Sequence, residues 1–359
     1  MIDLFKENKK IFLVAAALVA VLAGAFFGAR FAASYYYKKG VETYLQNNFS
    51  AAKNNFAVSL IFDSKNPRTY FFLGKIALGV PAPKQAVYYP QADYGEAAKH
   101  YEKAVSLGLE GKNQNLYKVV LDDLGNAYWN LNELDKAREK YSEKLSKFPD
   151  SSFWARYFIA WHNFNYLNKP EEAIETLLPA LNLASSDNDR SNLFKINLML
   201  ARLYFYKSDF ANAVKYAGIA IESGGHQNKD WEIHAAYGLL AIDYGRQKKF
   251  TLAESEIKKA NYMARSVNAY NCILAVAYAA GENYPKAISI AEKTDITAQT
   301  YISSVCLHSL AVSYSARGDK VKTKEYMEKY LSFTEKLTEK NIFVMRNREQ
   351  FADEILKLQ

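Results

Sequence analysis

Leu124-Gly125-Asn126-Ala127-Tyr128, then Leu134-Asp135-Lys136-Ala137, then Tyr141 and Phe148-Pro149, is the stretch that decides the fold. The small residue Gly125 is followed twelve positions later by Ala137, and four beyond that by the ring of Tyr141. Asn132-Glu133 between the two blocks is a turn signal. Small residues sit where two helices cross, because only a small side chain lets their axes approach to about 8–10 Å. Aromatic side chains fill the gaps beside the crossing.

Copies recur on both sides with a period of about 34 residues. Towards the N-terminus stand Tyr36, Gly40, Ala52, Phe56 and Ser59, with Pro67 after them, and then Tyr70, Leu73, Gly74, Tyr94, Ala97, Tyr101 and Ala104. Towards the C-terminus a looser unit carries Tyr157, Trp161, Phe164, Ala173, Leu177 and Ala180. Leu200, Ala201, Tyr204, Phe210, Ala213, Ala217 and Ala220 follow, then Tyr237, Ala241, Tyr244, Phe250, Ala253, Ile257 and Ala260. The last two units hold Leu274, Ala275, Tyr278, Tyr284, Ala287 and Ala291, and Leu310, Ala311 and Tyr314 with Thr323 in place of Ala. Asn47-Asn48, Ser208-Asp209, Gly281-Glu282-Asn283 and Gly318-Asp319 are turn signals between helices. Each unit buries only part of its apolar face, so the units must stack.

These residues resemble the tetratricopeptide repeat family over about residues 33–337. The resemblance implies an all-α superhelical solenoid of about eight helix-turn-helix repeats, preceded by one transmembrane helix and closed by a C-terminal capping helix. Trp161, Lys144, Thr294 and Thr323 depart from the family's small residues. The expected organisation is a tail at 1–10, a transmembrane helix at 11–33, the repeat array at 34–337 with a proline-rich insertion at 79–93, and a capping helix at 338–359. In that helix Val344, Phe351, Ile355 and Leu358 share one face.

Ile11 to Ala29 contains neither a charge nor a polar side chain, which reads as a nearly full bilayer span. Arg30 can snorkel to the interface, and Tyr35, Tyr36 and Tyr37 sit where an aromatic belt belongs. The rival reading is a cleaved signal peptide starting at Lys9-Lys10. The apolar run is long for an h-region of about 7–15 residues, and a cut near Ala32-Ala33 would enter the first repeat. Ala16, Ala20, Gly24, Gly28 and Ala32 form a ladder of small residues on one helix face. Such a ladder is either a transmembrane packing face or a product of alanine-rich composition. Lys6, Lys9 and Lys10 before the span balance Arg30, Lys38 and Lys39 after it. The short basic tail favours an inside N-terminus, which makes the chain a single-pass protein of a bacterial inner membrane with its repeats outside the cytoplasm.

The net charge of +8 on 359 residues comes from scattered lysines with no basic block, so no nucleic-acid partner is expected. The 27 Tyr and 21 Phe fall largely on repeat anchors. The two cysteines, Cys272 and Cys306, read as small buried hydrophobes, since a disulfide between neighbouring helices would need unusually close Cα atoms. His100, His162, His226, His234 and His308 show no metal spacing. Gly-rich phosphate loops and nucleophile elbows are missing from the sequence. No enzyme activity, cofactor or metal is expected.

The family resemblance implies that first helices line the partner groove. That assigns Asp122, Asn126, Trp129, Asn130, Phe158, His162, Tyr166, Lys195, Arg202 and Tyr206 to it. Aromatics with Arg and Asn are common hot-spot chemistry. Asp122-Asp123 lacks the Lys/Asn/Arg set that some members use to clamp a C-terminal carboxylate. Ile242, Ile273, Val276 and Val312 line later grooves, which accept either a partner helix or this chain's final helix. Val87, Tyr88 and Tyr89, at the tip of the insertion, contact a partner or the membrane, or pack on their own repeat. The expected role is a membrane-anchored scaffold for other proteins in assembly of a secretion, motility or envelope complex. The alternatives are an accessory subunit of an enzyme and a lipid- or glycan-binding groove.

Overall fold

The computed structural model describes residues 2–79, 92–149, 153–186, 190–224, 232–264, 267–296, 301–337 and 342–358. The insertion tip, Val87-Tyr88-Tyr89, lies outside them. The chain forms two compact units, Met1–Pro149 and Asp150–Gln359. In the first unit α1 (Ile2–Leu45) pairs with α2 (Phe49–Phe62), and α3 (Pro67–Ala77) with α4 (Tyr94–Ser106). After the single-turn α5 (Leu109–Lys112), α6 (Gln114–Asn130) pairs with α7 (Leu134–Lys147).

The second unit holds five more hairpins. They are α8 (Phe153–Asn165) with α9 (Pro170–Ser186), α10 (Arg190–Tyr206) with α11 (Phe210–Gly224), and α12 (Glu232–Arg246) with α13 (Phe250–Ala264). Then come α14 (Val267–Ala280) with α15 (Tyr284–Glu292), and α16 (Tyr301–Ala316) with α17 (Lys320–Glu335). The last helix, α18 (Ile342–Leu358), packs on α16 and α17 through Phe351. The described residues thus build eight helix-turn-helix units of tetratricopeptide type with a closing C-terminal helix.

One turn is used repeatedly. Asn47, Asn132, Ser208, Lys248, Glu282 and Gly318 take left-handed φ values of 59°, 59°, 62°, 59°, 65° and 76°. The next amide then bonds back five residues, as in Glu133 N to Tyr128 O at 2.8 Å and Asn283 N to Tyr278 O at 2.9 Å. This satisfies carbonyls left over at the helix end. That next residue also caps the following helix where it is Asn48, Asn283 or Asp319, whose side chains accept from Ala51 N, Lys286 N and Lys322 N.

Helix crossings are filled in two ways. In the first unit a glycine meets a ring: a Cβ on Gly40, Gly74 or Gly125 would lie 2.6 Å from Phe56, Tyr101 or Tyr141. In the second unit Ala201, Ala241, Ala275 and Ala311 share clusters with Ala217, Ile257, Ala291 and Met327, sixteen residues on in each case. The departures from small residues have local explanations. Lys144 is wholly buried, and its Nζ donates to Lys118 O at 2.8 Å and to Asp122. The Thr294 and Thr323 hydroxyls donate four residues back, to Ile290 O (2.8 Å) and Asp319 O (2.7 Å), at the end of α15 and the start of α17. Trp161 packs beside the cluster of Ala160, Ala173 and Leu177.

The cysteines differ from the sequence reading. Cys272 and Cys306 form a disulfide with Cα atoms 4.6 Å apart. A separation of 34 residues is one repeat period, so they occupy the same level of successive first helices, beside small buried residues such as Ala275 and Ser304.

Candidate membrane anchor and partner surface

A single helix, α1, carries both the apolar segment and the first half of the first repeat. Ala17–Leu45 is long and apolar enough to cross a membrane. Its side chains change character at Ala33. Before it, Leu22, Phe27 and Phe31 are 61%, 68% and 75% exposed, whereas Ala33 and Tyr44 are buried. The switch marks where α2 begins to cover α1. Ser59 Oγ on α2 donates to Ala33 O at 2.9 Å, and Gly40 lies against Phe56. Tyr37 meets Phe56 and Phe72, each at 6.1 Å between ring centres. On the apolar stretch of α1, Gly24 and Gly28 have open space where a Cβ would project. Ala20 and Ala32 lie on the same helix, as does Ala16, whose side chain is outside the described set.

Of the groove residues chosen from sequence, Asp122, Asn126, Trp129 and Asn130 belong to the first unit and the other six to the second. Asp122 is engaged by Lys144. Burial pushes the Lys144 ammonium down, against the upward pull of Asp122. Asn126 is buried and accepts at O and Oδ1 from Asn130 Nδ2, at 2.8 and 3.0 Å. Asn130 is exposed and Trp129 half-buried.

Beneath these lies a buried polar knot with no obvious sequence signal. Asp123 accepts from Tyr101 Oη at 2.7 Å and pairs with Lys75 Nζ at 2.7 Å, both ionic groups being under a tenth exposed. Burial first, and the Asp123 charge second, hold the Tyr101 phenol far above its ordinary range. Such pairs stabilise little net, but breaking one leaves an uncompensated charge.

In the second unit Phe158 and His162 on α8, and Tyr166 one residue past its end, stand four residues apart. Their rings stack at 6.0 and 5.3 Å, running from wholly buried Phe158 to Tyr166 at 55% exposed. Trp161 braces Phe158 at 5.8 Å and Tyr166 at 5.3 Å. The ladder therefore offers an accessible tip on a fixed stem. Lys195 lies over the ring of Trp154 at 4.8 Å, a partner the sequence did not single out. Arg202 is half-buried. Tyr206 donates to Asn168 Oδ1 at 2.8 Å, and Arg346 of α18 lies 5.1 Å above its ring. The chain's own last helix thus reaches one of the groove residues. It also packs Phe351 on His308 and Tyr330, and Arg348 donates to Leu331 O and Thr334 Oγ1 at 2.5 and 2.6 Å. Ile242, Ile273 and Val276 are half-buried, and Val312 is 36% exposed.

Tyrosine–glutamate hydrogen bonds tie first helices to the second helix of the preceding unit. Tyr128 donates to Glu102 at 3.0 Å, Tyr278 to Glu254 at 2.5 Å and Tyr314 to Glu292 at 2.6 Å. Burial and the Glu254 hydrogen bond push the Tyr278 phenol up to about 12. Among the described residues no group of three or more His, Cys, Asp or Glu side chains is placed to hold a metal ion.

No protein-family model matches the chain. A DnaJ homolog subfamily C member 7 homolog from Dictyostelium discoideum is 24% identical over 236 residues. That stretch is 65% of this chain and 41% of the relative, so the chain spans well under half of it. Among solved structures, that of Pseudomonas aeruginosa pilF is similar over 68% of this chain and 96% of its own, with 16% identity and a TM-score of 0.47. YrrB, described as a TPR protein with an unusual peptide-binding site, covers 59% of this chain and 93% of its own, with 15% identity and a TM-score of 0.43.

Proposed function

We propose that this protein is a single-span, membrane-anchored scaffold whose tetratricopeptide units hold other proteins during assembly of a membrane or envelope complex. The span is residues 11–33 and the repeats occupy 34–337, with the insertion at 79–93 and the closing helix at 338–359. The observation that carries the reading is α1. A helix that leaves an exposed apolar stretch and enters a buried hairpin without interruption holds the first unit at a fixed distance from the membrane. Packing at Gly40, Phe56 and Ser59 resists bending just beyond it. The proposed contact surface is the tip of the α8 ladder with Tyr166, Lys195, Arg202 and Tyr206. Rigid aromatics beside cations suit a peptide or helix carrying acidic and apolar groups. The small-residue face of α1 is a second proposed contact, with another span. The proposed setting is a bacterial inner membrane with the repeats outside the cytoplasm.

Photo-crosslinking from position 166 in intact membranes tests this, followed by extraction and size analysis. The expected result is a discrete heteromeric adduct that disappears when Lys195 and Arg202 become Glu. A chain that runs only as a free monomer, with no adduct from position 166, would contradict it.

A further inference from the structure

We infer that the Cys272–Cys306 bond is made while the chain folds, and that it records an oxidising compartment as the place where the repeats fold. This rests on the membrane-anchored reading and settles the side of the membrane, which three basic residues on each flank leave balanced.

The two cysteines are the only ones in the chain, so no other pairing competes. They stand one period apart on α14 and α16, with Cα atoms 4.6 Å apart, inside the range a disulfide spans. Both are buried, at 1% and 0% exposed, in a cluster with Ala275, Ile288, Ala291 and Leu310. Once the cluster has closed, no oxidant or reductant reaches the sulfurs. The redox state is therefore fixed during folding, and thiols folded in a reducing cytosol would be buried as thiols. The bond requires an oxidant, a disulfide carried by a thiol oxidoreductase or a small molecule. One cysteine thiolate attacks that disulfide, forming a mixed disulfide and releasing one thiol. The second thiolate then displaces the other sulfur, so two electrons and two protons pass from the chain to the oxidant.

The bond lies beside the shortest second helix among the described hairpins. The second helix α15 has 9 residues, against 13 to 17 in the other seven hairpins. The first helices of these two units, α14 and α16, also pack on one another. The disulfide joins those two helices directly.

The test uses the full chain in its own membrane. Cells are quenched in acid, the protein is denatured, and a mass-tagged maleimide is added with or without prior reduction. In parallel, cells stripped of outer layers but with the inner membrane sealed are exposed to protease, and membranes are washed at alkaline pH. The expected results are no tag before reduction, two tags after it, and digestion of the repeats from outside. Tagging of most chains without reduction overturns the inference wherever the repeats lie, as does protection of the repeats in sealed cells. Oxidised cysteines in a chain that washes off the membrane would support the oxidising compartment and overturn the anchor. The two failures are therefore distinguishable.

Discussion

The two units solve one packing problem with opposite choices of volume. Residues 40, 74 and 125 of the first unit are glycines, and each faces a large ring, Phe56, Tyr101 or Tyr141. In four of the second unit's five hairpins the corresponding residues, 201, 241, 275 and 311, are alanines that share clusters with Ala217, Ile257, Ala291 and Met327; the fifth has Trp161. The consequences diverge. Two of the rings are tyrosines, and a buried phenol needs a partner. Tyr101 finds Asp123, and Asp123 in turn needs a cation, which Lys75 supplies. The alanine crossings need no polar partner, and the second unit carries its one disulfide among them. The tyrosine at the Gly74 crossing thus brings charge into the core of the first unit, which the Phe56 ring does not.

The largest effect is expected where that charge is stranded. Asp123→Ala leaves the Lys75 ammonium and the Tyr101 hydroxyl buried without their acceptor. It should cost about 3–5 kcal/mol, read as faster hydrogen exchange confined to the first unit. Replacing the pair together, with Lys75→Met and Asp123→Leu, should recover most of that; no recovery would mean the knot does more than neutralise charge. Next, Cys272→Ser with Cys306→Ser should lower the stability of the second unit by roughly 3–4 kcal/mol, the value for a loop of this length, and leave the first unit unchanged in the same measurement. Third, Gly125→Ala drives a methyl into the Tyr141 ring and should cost about 1–3 kcal/mol in denaturant melts. Ala241→Gly in the second unit should cost only about 1 kcal/mol, from lost helix propensity.

A pH effect follows in the second unit. Burial holds the His308 imidazole down to about 4, from an ordinary 6.5. The unfolded chain therefore takes up a proton between those values that the folded chain refuses. Stability should fall as pH drops from about 6.5 to about 4 and level off below, by about 3 kcal/mol in all. His308→Phe, which keeps a ring on Phe351, should flatten the slope seen by exchange in α16 and α18. The smallest effect belongs to the turns. Glu282→Gly relieves a left-handed φ of 65° and should raise the melting temperature slightly, a gain of about 0.5–1 kcal/mol.

The period of small and aromatic residues made the hairpins legible, because helix crossings impose a spacing that a sequence displays. Asn47, Asn132 and Asp319 announced their turns for the same reason. Lys144 did not announce its role. A lysine at a small position signals a misfit until Asp122 and Lys118 O are seen to receive it. Lys75 and Asp123 lie 48 residues apart in sequence, and no local rule pairs them. The disulfide was hidden by a general expectation about helix spacing, although its separation of 34 residues was the repeat itself. Phe158, His162 and Tyr166 share a face by their four-residue spacing, but the order in which they pass from buried to exposed is a tertiary property. The reach of Arg346 to Tyr206 depends on where α18 docks, which follows from Phe351 against His308 and not from any pattern near Arg346.

The most direct test of the membrane-anchored scaffold is the continuity of α1. Hydrogen exchange of the full chain in a lipid nanodisc, resolved from Ala17 to Leu45, is the measurement. An unbroken helix predicts slow exchange through Ala33, Tyr37 and Tyr44, with no fast segment between the span and the first hairpin. A fast-exchanging stretch between Arg30 and Tyr36 would mean a hinge there, and the anchor would then be a tether instead of a fixed support.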